Sequence, residues 1–134
     1  MVIILKLNSV VKNITTDAIN TVNDIVNINA CNISATRYGI YLQKQGCLAD
    51  VNGCIFNSGT VGIYVKDNNI KPSVTSCIFN NTNGIGISSP NSLTNVGAVC
   101  VSFCSFFGTN DIAGAIRNNI KPLNNKVVIT SAFA

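Results

Sequence analysis

Few side chains in this chain could do chemistry. The 134 residues include six cysteines, five aspartates and three tyrosines, but no histidine and no glutamate. General acid and base catalysis would therefore have to rely on aspartate, lysine or tyrosine. The aspartates are scattered, and a pair formed by Asp50 and Asp67 would need turns that bring these two residues together. Because solvated turn positions are the simpler interpretation, no catalytic residue is assigned.

The cysteines follow a pattern. Four of them, Cys31, Cys54, Cys77 and Cys104, are 23, 23 and 27 residues apart, and each follows an aliphatic residue by three positions. One interpretation is a column of reduced thiols in an apolar core. Disulfides and a metal site are the alternatives, although the steps from Cys47 to Cys54 and from Cys100 to Cys104 match no zinc pattern. We therefore predict neither a metal nor a cofactor.

A second pattern runs in step with the cysteines. The segments "GIYL" at Gly39, "GIYV" at Gly62 and "GIGI" at Gly84 start 23 and 22 residues apart, and a degraded copy, "AGAI", starts at Ala113. The surrounding sequence alternates and is rich in β-branched residues, as is typical of strands. Two tracks with one period predict stacked repeats. The expected fold is all-β, one parallel β-helix domain over residues 1–134 with about five rungs.

The spacing within each repeat predicts corners. An inward aliphatic residue followed three positions later by an inward cysteine requires a bend, for which Asn29, Gly53 and Ser76 are suitable. The pentapeptide "NNIKP" occurs at residues 68–72 and again at 118–122, and its proline suits a corner loop. Phenylalanines two positions after Cys54, Cys77 and Cys104, and after Ser131 in the equivalent position, predict a parallel aromatic stack of Phe56, Phe79, Phe106 and Phe133.

These repeats, with "CIFN" twice and the Asn/Gly turns, resemble the right-handed parallel β-helix of the pectin-lyase-like superfamily, which includes pectate lyases, polygalacturonases and phage tailspikes. The resemblance covers about residues 24–133. It implies that carbohydrate would lie along the "GIYL" track. The candidate carbohydrate-binding residues are then the outward ones, namely Tyr41, Gln43, Tyr64, Lys66 and Arg117.

Tyr41 and Tyr64 are expected on neighbouring rungs. They could form a flat aromatic surface for a sugar ring, or a cross-strand pair that stabilises the sheet. The enzymes of the family use clustered aspartates with histidine, or calcium-binding carboxylates with a basic residue. This chain lacks histidine, and its aspartates fall at different phases of the repeat.

The leading functional hypothesis is a non-enzymatic structural and recognition module of a phage tailspike or fibre-like protein that binds carbohydrate. The alternatives are a polysaccharide lyase or hydrolase with an incomplete or intersubunit site, and a self-assembling filament protein. We expect the chain either to self-associate, as a homotrimer or end to end, or to be a segment of a longer polypeptide. The expected location is a virion or extracellular surface.

Two other partner classes are not expected. The nine basic residues are scattered and form no dense patch, which argues against nucleic acid. The opening apolar run, residues 2–5, is too short for a membrane span and lacks the features of a signal peptide.

Overall fold

The computed structural model describes residues 2–5, 10–14, 19–21, 25–57, 59–80, 84–94, 100–107, 110–114 and 128–129. These residues form strands and turns, and none of them is helical. Arg117, Phe133 and the second "NNIKP" copy lie outside them, so predictions about those positions stay predictions.

The described strands build three parallel sheets. Sheet A contains β1 (Val2–Leu5), β4 (Ile25–Asn29), β7 (Leu48–Asn52), β10 (Lys71–Thr75) and β13 (Cys100–Ser102). Sheet B contains β2 (Val10–Ile14), β5 (Asn32–Ala35), β8 (Ile55–Phe56), β11 (Ile78–Phe79), β14 (Ser105–Phe106) and β16 (Val128–Ile129). Sheet C contains β3 (Ile19–Thr21), β6 (Tyr38–Leu42), β9 (Val61–Val65), β12 (Ile85–Ser88) and β15 (Asn110–Ala113).

The chain visits sheets A, B and C in turn, and each strand pairs in parallel with the equivalent strand of the next turn. This architecture is a parallel β-solenoid, so the predicted fold class is confirmed. The strands from Ile25 to Ser88 make about three complete turns of the solenoid. This number is smaller than the five rungs expected. A right-handed coil stays a prediction, based on the general preference of parallel crossovers.

One residue turns the chain from sheet A to sheet B in each repeat. Ala30, Gly53, Ser76 and Phe103 occupy this corner with φ values of 53°, 66°, 53° and 54°. A residue with a positive φ between two strands shifts the alternation of inward and outward side chains by one position. The aliphatic residue and the cysteine three positions later therefore both point inward, as the sequence predicted.

Gly53 and Ser76 provide a reciprocal test of this corner. A Cβ at Gly53 would meet no atom closer than 3.9 Å, so only its positive φ disfavours a side chain. We expect Gly53→Ser to lower the free energy of unfolding by about 1 kcal/mol and Ser76→Gly to raise it by about 0.5–1 kcal/mol. Urea denaturation would measure both. Changes of the same sign for the two variants would contradict this explanation.

The core consists of columns of like side chains. The rings of Phe56 and Phe79 are 4.7 Å apart and inclined by 2°, and those of Phe79 and Phe106 are 4.8 Å apart and inclined by 3°. All three rings are at most 1% exposed. The aromatic stack is thus confirmed over three turns, because parallel pairing in register places identical positions one strand spacing apart.

The cysteines form a second column. Cys31, Cys54, Cys77 and Cys104 are buried, and all six cysteines of the chain are in the reduced form. The Cys77 thiol donates to the carbonyls of Thr75, at 3.4 Å, and Val51, at 3.6 Å. Hydrogen bonding with the thiols of Cys104 and Cys54, together with burial, raises the pKa of the Cys77 thiol. This cysteine therefore packs as a protonated core residue that also donates to carbonyls of sheet A strands.

The register of sheet C corrects the predicted alignment. Ile87 pairs with Ile63, and Ser88 pairs with Tyr64. Gly86, and not Gly84, is therefore the equivalent of Gly62. Relative to the "GIYV" copy, the last copy is displaced in the opposite direction, because Ala113 pairs with Ser88 and therefore aligns with Tyr64 instead of Gly62. Both shifts are of two residues, which leaves the inward or outward direction of each side chain unchanged.

The first "NNIKP" copy is only partly a corner. Asn69 has a φ of 58° and Ile70 is fully buried, so Asn68 to Ile70 form the turn. The prediction that Pro72 lies in the corner loop is wrong, because Lys71 and Pro72 belong to β10. Among the described residues, pairing with β13 begins one residue later, at Ser73 and Cys100, so no described ladder bond on that side requires an amide hydrogen at Pro72.

Candidate functional site

Three tyrosines lie together on the outer surface of sheet C. Tyr41 and Tyr64 are directly paired positions of β6 and β9, as expected. Tyr38 joins them because Gly39 and Ile40 are both buried, so that positions three residues apart in β6 share one side. Strict two-residue alternation did not predict that Tyr38 lies on the same side as Tyr41, although the position of Tyr38 directly before "GIYL" indicated that it lies near this face.

The three rings form one cluster. The Tyr38 and Tyr64 rings are stacked, with centroids 4.4 Å apart and planes inclined by 2°. Tyr41 is tilted against both, at 5.1 Å from Tyr38 and 5.7 Å from Tyr64, with interplanar angles of 57° and 56°. Tyr41 and Tyr64 therefore do not form the flat surface considered from the sequence. Stacked and tilted arrangements at these distances are attractive between aromatic rings, so the cluster is held in one arrangement.

Arg37 completes the cluster. Its guanidinium carbon lies 4.8 Å from the Tyr38 ring centroid and 5.8 Å from that of Tyr41. Its backbone carbonyl accepts hydrogen bonds from the Thr60 hydroxyl, at 2.9 Å, and the Val61 amide, at 3.1 Å. The next turn thus fixes the backbone from which the cation extends over the rings. We call Arg37, Tyr38, Tyr41 and Tyr64 the tyrosine face.

The other predicted site residues border this face or cannot be placed. The Gln43 side-chain amide donates to the side chain of Asn20 on the preceding turn. Lys66 is exposed, and its amide donates to the Leu42 carbonyl at 2.9 Å, which places it beside Gln43. Arg117 lies outside the described residues. The sequence therefore predicted two of the three rings and two polar neighbours, but it did not predict that Tyr38 and Arg37 belong to the face.

Burial, followed by the proximity of Tyr38 and Tyr41, raises the pKa of the Tyr64 hydroxyl above its ordinary value of 10.0. The folded protein thus holds this proton more tightly than the unfolded chain does. The stabilisation linked to Tyr64 is complete below about pH 10 and is lost as the pH rises through the raised pKa.

This shift predicts a difference between wild type and Tyr64→Phe. We expect the free energy of unfolding to fall less steeply above pH 10 in the variant, because its residue 64 cannot ionise. Urea denaturation at pH 9 and pH 11 would measure both slopes, and absorbance at 295 nm would follow tyrosine ionisation. Equal slopes for the two proteins would show that Tyr64 titrates alike in both states.

The described carboxylates do not form a pair. Asp50 lies in the middle of β7 on the outer face of sheet A, whereas Asp67 lies in the turn after β9, where it accepts a hydrogen bond from the Asn68 amide at 2.7 Å. The turns therefore leave these two residues on different parts of the surface. Among the described residues, no group of three or more histidine, cysteine or acidic side chains is arranged to hold a metal ion.

Comparison of the chain with models of protein families, with curated proteins and with solved structures found no match. Within the described part of the chain there is no long apolar helix of the kind that crosses a membrane. The class that the fold defines is therefore a parallel β-solenoid with an aromatic and cationic cluster on one sheet.

Proposed function

We propose that this protein is a non-enzymatic recognition module that binds carbohydrate through its tyrosine face. In this proposal the solenoid has the pectin-lyase-like architecture that its repeats resemble, and it serves as part of a tailspike or fibre-like protein at a virion or extracellular surface. The observation that carries the proposal is the cluster of three tyrosine rings with an arginine on the outside of sheet C.

The chemistry of the face suits a sugar. Aromatic rings offer apolar surface to the C–H groups of a pyranose, while hydroxyl, amide and cationic groups offer hydrogen bonds to its hydroxyls. Both kinds of group are present here, because Gln43 and Lys66 border the rings. Because tyrosine has few rotatable bonds and these rings already contact each other, binding would cost little conformational entropy.

The scaffold beneath the face also supports recognition. Ile40, Leu42, Ile63 and Val65 lie behind the tyrosines and are at most 1% exposed. Parallel pairing joins β6 to β9 along the whole strand. A binding surface on packed strands keeps its geometry better than one on loops, and this is what a rigid fibre module requires.

Binding can be tested by affinity gel electrophoresis with a panel of neutral and acidic polysaccharides, including bacterial capsular and O-antigen preparations. We expect at least one polysaccharide to retard the wild-type protein. Tyr64→Ala should weaken that binding by about tenfold or more, because a central aromatic anchor contributes about 1.4 kcal/mol or more. Tyr64→Phe keeps the stacked ring and should retain most of the affinity.

Ile78→Ala is the matched control, since Ile78 is an exposed strand residue on sheet B, with 36% of its surface accessible. It should bind as the wild type does. If no polysaccharide in the panel retards the protein, the proposed carbohydrate function fails. If binding occurs but Tyr64→Ala binds normally, the tyrosine face is not the site.

A further inference from the structure

Sheet A carries a shallow depression on its outer face, away from the tyrosine face. Its volume is about 290 Å³, and its lining includes Ile25, Asn27, Leu48, Asp50 and Lys71. These residues come from β4, β7 and β10, which are neighbours in the sheet. We call this region the sheet A depression.

One side of the depression is apolar. Ile25 and Leu48 are paired positions of β4 and β7, and they are 41% and 52% exposed. Two large aliphatic side chains next to each other on a sheet face expose surface that another protein surface could remove from water. Lys71 continues the row on β10, opposite Leu48, and its aliphatic stem lengthens the apolar strip.

The depression also carries one charge of each sign. Asp50 and Lys71 are both exposed. Asp50 pairs with Ser73, and Lys71 pairs with Leu48, so the two charged residues are diagonal neighbours on β7 and β10. In a parallel sheet this diagonal corresponds to about 4.8 Å across the strands and about 6.6 Å along them. The four residues of these two pairs mark the corners of a small rectangle on the sheet, with Asp50 and Lys71 at opposite corners and Leu48 and Ser73 at the other two.

We propose that the sheet A depression binds a second copy of this chain about a two-fold axis. The axis lies in the interface, crosses the line between Asp50 and Lys71 at its midpoint and is perpendicular to that line, so the rotation exchanges the two positions. Each carboxylate then faces Lys71 of the second copy, and the two Leu48 side chains meet beside the axis. A surface on which a two-fold rotation exchanges opposite charges is complementary to itself, as a closed dimer requires.

The proposed dimer goes beyond carbohydrate binding and does not depend on it. It joins solenoids side by side through sheet A, unlike the trimeric or end-to-end assembly expected from the sequence. Sheet C remains uncovered in this arrangement, so each dimer would present two tyrosine faces. Two linked faces would strengthen binding to a repeating polymer without any new contact.

Sedimentation equilibrium and light scattering on the full chain test the pairing. We expect a mass of two chains for the wild type at about 50 µM, a concentration range in which micromolar dimers are populated. Leu48→Glu should give a mass of one chain, whereas Ile78→Glu, which also places an acid on an exposed aliphatic position, should stay dimeric. A wild-type mass of one chain or three chains overturns the proposal.

Charge reversal provides the sharper test, because exposed charged residues can be exchanged without disturbing the core. Asp50→Lys places lysine against lysine at both contacts, and Lys71→Asp places aspartate against aspartate. Each variant alone should dimerise at least about tenfold more weakly. An equimolar mixture of the two should recover the mass of two chains, because each contact then joins a lysine to an aspartate.

The double variant Asp50→Lys/Lys71→Asp should likewise recover dimerisation. Circular dichroism of each variant would establish that it is folded, and if Leu48→Glu is not, the charge variants decide. Unchanged dimerisation of the single variants, or a mixture that stays monomeric, would show that Asp50 and Lys71 do not meet across the interface.

Discussion

Replacing Phe79 with alanine is expected to lower the free energy of unfolding by about 3–5 kcal/mol. Phe79 is the middle ring of the aromatic stack, with ring centroids 4.7 Å from Phe56 and 4.8 Å from Phe106. It is 1% exposed. Its removal would take away stacking on both sides and leave a cavity that the paired strands above and below could not close.

Urea denaturation followed by circular dichroism would measure this loss. Ile78→Ala is the matched control, because Ile78 is the neighbouring residue of β11, points outward and is 36% exposed. We expect the control to cost less than about 1 kcal/mol, as is usual for surface positions. A loss at Phe79 no larger than at Ile78 would mean that the phenyl column is not part of a packed core.

Gly62→Ala is expected to be the second most damaging change, with a loss of about 1–3 kcal/mol or more. A Cβ at this position would lie 2.6 Å from the Gly86 carbonyl oxygen and 2.7 Å from Cδ1 of Phe79. The carbonyl belongs to the paired backbone of β12, so it cannot move without breaking the ladder. Glycine is required here because the next turn and a phenyl ring both approach the backbone closely.

Gly46→Ala separates this steric effect from backbone strain. Gly46 has a φ of +79°, but an added Cβ would meet nothing within 4 Å. We expect it to cost only about 1 kcal/mol, the conformational penalty alone. Combining Gly62→Ala with Phe79→Leu should give a loss smaller than the sum of the two single losses, because the smaller side chain relieves one of the two clashes. Strict additivity would show that the Gly62 methyl group does not meet the ring.

The Gly62 contacts connect the core to the proposed site. Gly62 is two residues before Tyr64 on β9, and Gly39 is two residues before Tyr41 on β6. A Cβ at Gly39 would likewise lie 2.6 Å from the Gly62 carbonyl oxygen and 2.8 Å from Cδ1 of Phe56. The phenyl column thus packs directly beneath the strands that carry the tyrosines, so loss of core packing would also disturb the position of the face.

The sequence by itself determined the solenoid and its interior columns. The 23-residue steps between Cys31, Cys54 and Cys77 place equivalent residues on successive turns. Parallel pairing then converts an equal sequence interval into a column, which is why the thiol column and the phenyl stack could be predicted before any coordinates. The corner before each cysteine was also predictable, because only a bend allows two inward residues three positions apart.

Only the tertiary structure decided the register of sheet C and the composition of its outer face. Pairing displaced by two residues keeps every side chain on the same side of the sheet, so the pattern could not distinguish Gly84 from Gly86 as the partner of Gly62. Tyr38 joins the face by stacking on Tyr64 of the next turn, and Arg37 joins it by lying over the Tyr38 and Tyr41 rings of its own turn, and strict two-residue alternation predicts neither contact. The inside of a solenoid repeats because it must pack against copies of itself, whereas its outside is free to differ from turn to turn. The site therefore had to be seen in three dimensions.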